Sequence, residues 1–150
     1  MTVAIGADHA GFELKERIKR LLLSRGYEVK DVGTHSSESS DYPLFAFPVA
    51  EAVRDGAAER GILVCDSGNG IAIAANKVEG IRAAIAMNRW QAEMSRRHND
   101  ANVLVLASKL TPEGEEAAIL DAWFSAPFDG GRHARRIGQI TDYERTHERR

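Results

Sequence analysis

The stretch Gly61-Ile-Leu-Val-Cys-Asp-Ser-Gly-Asn-Gly70 decides how this 150-residue chain is read. Ile62-Leu63-Val64 is a short continuous apolar run, the pattern of a strand covered on both faces. It ends in Cys65, the only cysteine, and opens into Asp66-Ser67-Gly68-Asn69-Gly70. Ile71 to Lys77 then has helical composition. Backbone N–H groups that converge in a glycine turn at a helix start favour an anion. The segment therefore sets a thiol beside an anion cradle. Packing alone also accounts for a lone cysteine after a strand, and chain reversal for the glycines. No Gly-Lys-Ser/Thr follows, and the Gly-x-Gly-x-x-Gly spacing of dinucleotide folds is missing.

Outward from this segment, apolar strands alternate with amphipathic helices. Val3-Ala-Ile5 reads as a strand that ends in Gly6-Ala-Asp8-His9-Ala-Gly11. A helix follows with Leu14, Ile18, Leu21 and Leu22 on one face, stopped by Gly26. Tyr27 to Val32 is the second strand, 33–43 a polar loop, and a helix carrying Val49, Ala52 and Val53 leads to Ile62. Ile81 to Ile85 and Asn102 to Leu106 are the remaining strands, separated by a helix from about Arg89 to Arg97. Thr111-Pro112-Glu113 reads as a helix start, with Thr111 as N-cap and Pro112 at the first helical position. Pro127 and Gly130-Gly131 end that helix, and a basic helix runs from about 131 to 150. The fold expected is a doubly wound, Rossmann-like α/β domain over 1–150: a five-stranded parallel sheet with helices on both faces.

Composition narrows the function classes. Twenty basic residues against 22 acidic ones give no overall attraction to nucleic acid or an anionic membrane. One cysteine excludes an intramolecular disulfide and a cysteine-based zinc cluster. Met1 runs straight into Thr2-Val-Ala-Ile5, and no apolar stretch reaches the length of a membrane span, so a soluble cytoplasmic protein is expected. Ligands of such folds bind outside the carboxyl ends of the strands. Three polar clusters are expected at that rim: Asp8-His9, Cys65 with Ser67, and His98-Asn99-Asp100. Arg132 and Arg136, four apart on one helical face, suit a shared phosphate.

The segments Gly6–Gly11, Ser36-Ser-Glu38, Asp41-Tyr-Pro43, Cys65–Gly70, Ala74–Lys77, Ser95–Val103 and Gly130–His133 occur in an order that spans nearly the whole chain. In these segments the sequence resembles the type B ribose-5-phosphate isomerases, within the wider group that includes the galactose-6-phosphate isomerase subunits. The resemblance implies aldose–ketose isomerisation of ribose 5-phosphate and ribulose 5-phosphate through an enediolate, without metal or organic cofactor. It implies Cys65 as the proton-transfer base, Ser67 as a relay between the two sugar oxygens, and the amides of Ser67, Gly68, Asn69 and Gly70 as enediolate donors. His98 matches the ring-opening acid/base, assisted by Asp8. His9, Arg132 and Arg136 match phosphate binders, and Asn99 a substrate contact. The family site lies between two subunits, which implies a homodimer or tetramer with the last helix facing the partner.

Two positions depart from the family pattern: Asp66 stands where glycine is usual, and Lys109 where arginine is common. An acid in an anion loop weakens anion affinity, and lysine replaces a bidentate fork by a point charge. Both bear on the substrate. Other readings stay open: an isomerase of allose, galactose or four-carbon sugar phosphates; a non-catalytic phosphosugar sensor; and a cysteine hydrolase using Cys65, His98 and Asn99.

Overall fold

Parallel strands need crossover connections, which alternating helices supply, and the computed structural model, which describes residues 1–147, has that arrangement. Strands β1 (Thr2–Ala7), β2 (Glu28–Asp31), β3 (Arg60–Cys65), β4 (Ala83–Ile85) and β5 (Val103–Ala107) form one sheet in the order β2-β1-β3-β5-β4, every pair parallel. The direction of winding reverses between β1 and β3. The loops that leave these two strands therefore face each other across the crevice where such sheets bind ligands.

Side-chain alternation sorts the core into two layers. Ala4, Leu63, Cys65, Val103 and Val105 face α2 (Pro43–Arg54) and α3 (Asn69–Ala75). Val3, Ile5, Ala7, Ile62, Val64, Leu104 and Leu106 face α1 (Phe12–Ser24), α4 (Arg89–Asn99) and α5 (Glu115–Ser125). β1, β3 and β5 are almost wholly buried, which is why they read as continuous apolar runs. The two edges differ. β2 carries Glu28 and Lys30 outward, and β4 has only three residues, all half-buried.

Gly26 stops α1 as expected, with φ +81° and the Tyr27 amide donating back to the Leu22 carbonyl. The start of α5 differs from the expectation. Thr111 is buried and its hydroxyl donates to the Ala107 carbonyl at 2.8 Å, which secures the end of β5 instead of capping a helix. The chain turns at Gly114, φ +95°, and α5 begins at Glu115. Glu116 supplies the capping acceptor, its carboxylate taking the Gly114 amide at 2.8 Å.

The final helix α6 (Arg132–Thr146) buries only His133. The rest of the helix expected up to residue 150 includes 148–150, which lie outside the described residues. Arg132, Arg136, Ile140, Tyr143 and His147 recur at helical spacing along one side of α6 and its C-terminal end, and all are exposed. No helix among the described residues is long and apolar enough to cross a membrane.

Candidate active site

The crevice is built by close approach of backbones. The Asp8 amide donates to the Val64 carbonyl at 3.3 Å. A Cβ on Gly11 would stand 2.5 Å from that same oxygen, so only glycine lets the turn after β1 lie against β3. The Ser108 amide donates to the Cys65 carbonyl at 2.9 Å and the Lys109 amide to the Asp66 carbonyl at 3.2 Å, which adds the loop after β5. Asp8, His9, the 65–70 loop and Lys109 thus gather at one end of the sheet.

Each side chain there has a defined setting. Cys65 ends β3 in the register of Leu63, so its thiol faces α3 and is buried with Val105 and Ile71. Asp66 follows with the opposite sense. It lines a cavity of about 360 Å³ with Glu13, Arg17, Ser108 and Lys109 on the α1 side. The cavity lined by Asp66 thus lies on the α1 side, whereas the Cys65 thiol faces α3, and Arg17, Lys109 and Glu13 share that cavity. Gly68, φ +81°, is the N-cap of α3. The Ser67 hydroxyl accepts the Asn69 amide at 3.2 Å, which leaves its own proton free to donate. Among the described residues the Ser67 and Gly68 amides have no partner, the condition an oxyanion cradle requires.

Asp8 uses one carboxylate oxygen to accept the amides of Ala10 (3.0 Å) and Gly11 (3.1 Å), which holds the 3-10 turn His9–Gly11. Its second oxygen remains available. His9 is exposed, and Ser40 fixes it from two sides: the His9 amide donates to the Ser40 hydroxyl at 3.0 Å, and its Nδ1 takes the Ser40 amide at 3.1 Å. That contact turns Nε2 into the free end of the ring. Tyr42 roofs the loop, because a Cβ on Gly70 would come within 2.6 Å of its ring. The sequence assigns no role to Ser40, and Tyr42 enters there only within the matching segment Asp41-Tyr-Pro43. The signal for Tyr42 is the missing side chain at Gly70, which reads as a turn glycine until a ring is seen to lie on it.

His98, Asn99 and Asp100 do not join this rim. They precede β5, and in a parallel sheet whatever precedes a strand lies at the opposite end from whatever follows one. The Ala101 amide closes back on the Ser95 carbonyl, Asn102 accepts the Gly61 amide, and the Arg82 guanidinium bonds the Asn99 and Asp100 carbonyls. Cys65 pairs with Ala107, at the far end of β5. Five residues of strand span roughly 13 Å, so His98 and Cys65 of one protomer stand a full sheet apart.

At that opposite end α6 packs on α4. The His98 and His133 rings stack with centroids 4.2 Å apart and planes at 7°. Arg97 binds both oxygens of Asp129, at 3.1 and 3.2 Å. The His133 imidazole is held below the ordinary value of 6.5 by burial first, then by His98, Arg132 and Arg136, while Asp129 pulls the other way. Arg132 and Arg136 stand exposed on the outer side of α6. The chain thus gathers a thiol and two unpartnered amides at one end of the sheet, and two stacked histidines with exposed arginines at the other.

A doubly wound parallel sheet whose loops part at the switch point defines the α/β class of ligand-binding folds, and similarity to known proteins gives the family. The chain belongs to the ribose/galactose isomerase family, whose sequence profile matches residues 3–140. It is 48% identical over 142 residues to ribose-5-phosphate isomerase B of Escherichia coli, covering 95% of each chain. The solved structure of ribose-5-phosphate isomerase B from Clostridium thermocellum matches with a TM-score of 0.97 at 51% identity, covering 99% of this chain and 100% of that one. The enzyme from Mycoplasma genitalium, solved with bound ribulose-5-phosphate, matches with a TM-score of 0.92 at 40% identity, covering 96% of each chain.

Proposed function

We propose that this chain interconverts ribose 5-phosphate and ribulose 5-phosphate, with Cys65 as the base. The observation that carries the reading is the Cys65 thiol at the mouth of a loop whose Ser67 and Gly68 amides are unpartnered, in a family of sugar isomerases. The ring of the aldose first opens, with His98 exchanging a proton at the ring oxygen. The thiolate of Cys65 takes the proton from C2, and the electron pair moves onto the carbonyl oxygen O1 to form the enediolate. Amides already pointed at that charge stabilise it without reorganisation. Ser67 passes a proton from O2 to O1 and back as the carbonyl moves, and Cys65 returns its proton to C1. Protons and electrons balance with no external oxidant or cofactor.

His9, Lys109, Arg132 and Arg136 are assigned to the phosphate, and Asn99 to a sugar hydroxyl. Because the thiol and the stacked histidines lie at opposite ends of the sheet, the working unit is at least a homodimer in which each cradle is completed by the partner's histidine–arginine surface. The exposed stripe on α6, Arg132 and Arg136 continued by Ile140 and Tyr143, has the composition of a docking face: cations at one end and apolar area along the rest. Membership of a family of sugar isomerases favours isomerisation over a cysteine hydrolase. A solved relative described with bound ribulose-5-phosphate supports a five-carbon substrate over six- or four-carbon sugar phosphates. With a phosphosugar substrate, the reading includes a cytoplasmic location.

The test is proton NMR in deuterated water with ribose, allose, galactose and erythrose phosphates. Conversion of ribose 5-phosphate, with solvent deuterium at the transferred position, is expected. Binding of ribose 5-phosphate without conversion or exchange would establish the sensor reading instead.

A further inference from the structure

We propose that His133 is a positioning residue for His98, a flat platform that fixes the plane from which the His98 imidazole works. The proposal rests on the ring-opening reading of His98 given above. His98 lies in the last turn of α4 and His133 in the first turn of α6, their rings 4.2 Å apart and 7° from parallel. The junction is clamped on the chain just before α6, where the Asp129 amide donates to the Arg97 carbonyl at 3.0 Å and its carboxylate takes the Arg97 guanidinium. His133 is buried while His98 is half-buried, so one ring is set by the fold and the other rests on it. Among the described residues no hydrogen bond reaches either imidazole, which leaves the ring face as the contact that orients His98.

The donor atoms of His98, His133 and Asp129 lie within 4.8 Å of one another, a spacing that also invites a chelate. The stack argues otherwise. Imidazole lone pairs lie in the ring plane, and two planes at 7° send them side by side instead of converging on one ion. The charges around the platform fit the positioning role. His98 on α4 and Arg132 and Arg136 on α6 act against a charge on His133, while Asp129 acts for one. Arg97 is paired with Asp129 and Glu93, and the N-terminus of α6 adds a positive field. Burial and these neighbours lower the His133 imidazole and so favour its neutral form. A neutral aromatic face accepts a cation stacked on it, so His98 can take up a proton without a second charge against it.

The experiment compares His133→Ala, His133→Phe and His98→Asn in two assays. Turnover of ribose 5-phosphate requires ring opening. Exchange of deuterium from solvent into C1 of ribulose 5-phosphate, an open-chain ketose, does not. His133→Ala is expected to lower ribose 5-phosphate turnover about tenfold or more while leaving exchange within about twofold, a size in keeping with misplacement of a catalytic group. His133→Phe restores most of the loss, because a flat neutral ring replaces the platform. A His133→Ala variant that depresses both assays equally, or a Phe variant no better than Ala, overturns the proposal. So does an unaffected His133→Ala beside a His98→Asn variant that separates the two assays. If His98→Asn itself lowers both assays alike, the ring-opening reading of His98 falls, and the platform role with it.

Discussion

Replacing Asp31 by asparagine should remove about a third of the stability of this fold, for reasons legible in its surroundings. The Lys15 side chain is fully buried, and its Nζ lies 2.8 and 3.0 Å from the two oxygens of Asp31. Lys19 adds a third contact at 3.0 Å, and the Gly33 amide a fourth at 2.9 Å. Burial alone would raise the Asp31 carboxyl, but the Lys15 ammonium, the Gly33 amide and Lys19 outweigh it and hold the group below the ordinary value of 3.8. Asparagine keeps an acceptor for Gly33 yet leaves Lys15 buried beside Glu16 alone, a partner one-third exposed. Breaking a buried pair in this way costs about 3–5 kcal/mol. Solvent at Lys19 and Glu16 favours the lower end, about 3 kcal/mol, out of roughly 5–15 for a domain of ordinary stability. That corresponds to a Tm lowered by roughly 6–12 °C at this chain length. Urea unfolding at pH 7 measures it. The double variant Lys15→Met, Asp31→Asn should recover most of the loss, since no bare ammonium is then buried. The acid limb gives a second check. Because the folded carboxyl lies below 3.8, its contribution is complete above that pH and is lost as pH falls through the folded value. Asp31→Asn should therefore flatten the stability curve below about pH 4. A loss under about 1 kcal/mol, or a double variant as weak as the single one, would refute this account of the buried pair.

Three further predictions concern the site. Cys65→Ala should abolish isomerisation but leave phosphosugar affinity within about tenfold by calorimetry, because loss of the base acts on the transition state; retention of more than about a tenth of turnover would remove Cys65 from its role. Mixing Cys65→Ala with Arg136→Ala protomers should restore part of the activity lost in each, since some hybrid sites then carry both wild-type groups. No rescue despite proven subunit exchange would put Arg136 outside the partner's site. Asp66→Gly should leave the acid limb of kcat/KM where it is, because Asp66 lines a cavity on the α1 side with Arg17 and Lys109 while the Cys65 thiol faces α3. A displaced limb would mean that its charge is felt at the thiol.

Much of this was legible in the residues alone. The apolar runs of β1, β3 and β5 announced buried parallel strands, and Gly26 announced the end of α1. The glycine-bracketed loop after Cys65 announced a backbone held open. What local patterns could not supply was sidedness. His98 and Cys65 both adjoin strands, yet one precedes and the other follows, and in a parallel sheet that difference is a full strand length. Thr111 misled because a Thr-Pro-Glu run satisfies the rules for a helix start, while the β5 carbonyl at Ala107 competed successfully for its hydroxyl. For Asp66, adjacency in sequence to Cys65 left the direction of its side chain open, and the cavity it lines on the α1 side comes from segments distant in sequence. Tyr42 on Gly70 and His133 on His98 are contacts between distant segments, and no local pattern encodes them.

The two margins of the sheet carry a consequence for how this chain behaves at high concentration. An open sheet ends in unpaired amides and carbonyls, and a long flat apolar margin invites another chain to extend the ladder. Here one margin is β2, whose outward residues are Glu28 and Lys30, and the other is β4, three residues long. A second molecule pairing on β4 would gain only a few ladder bonds, and one pairing on β2 would have to bring its own alternating charges into register. Growth by strand addition, the first step towards fibrils, is thus discouraged at both sides, and copies of this chain are left to associate through helices and loops.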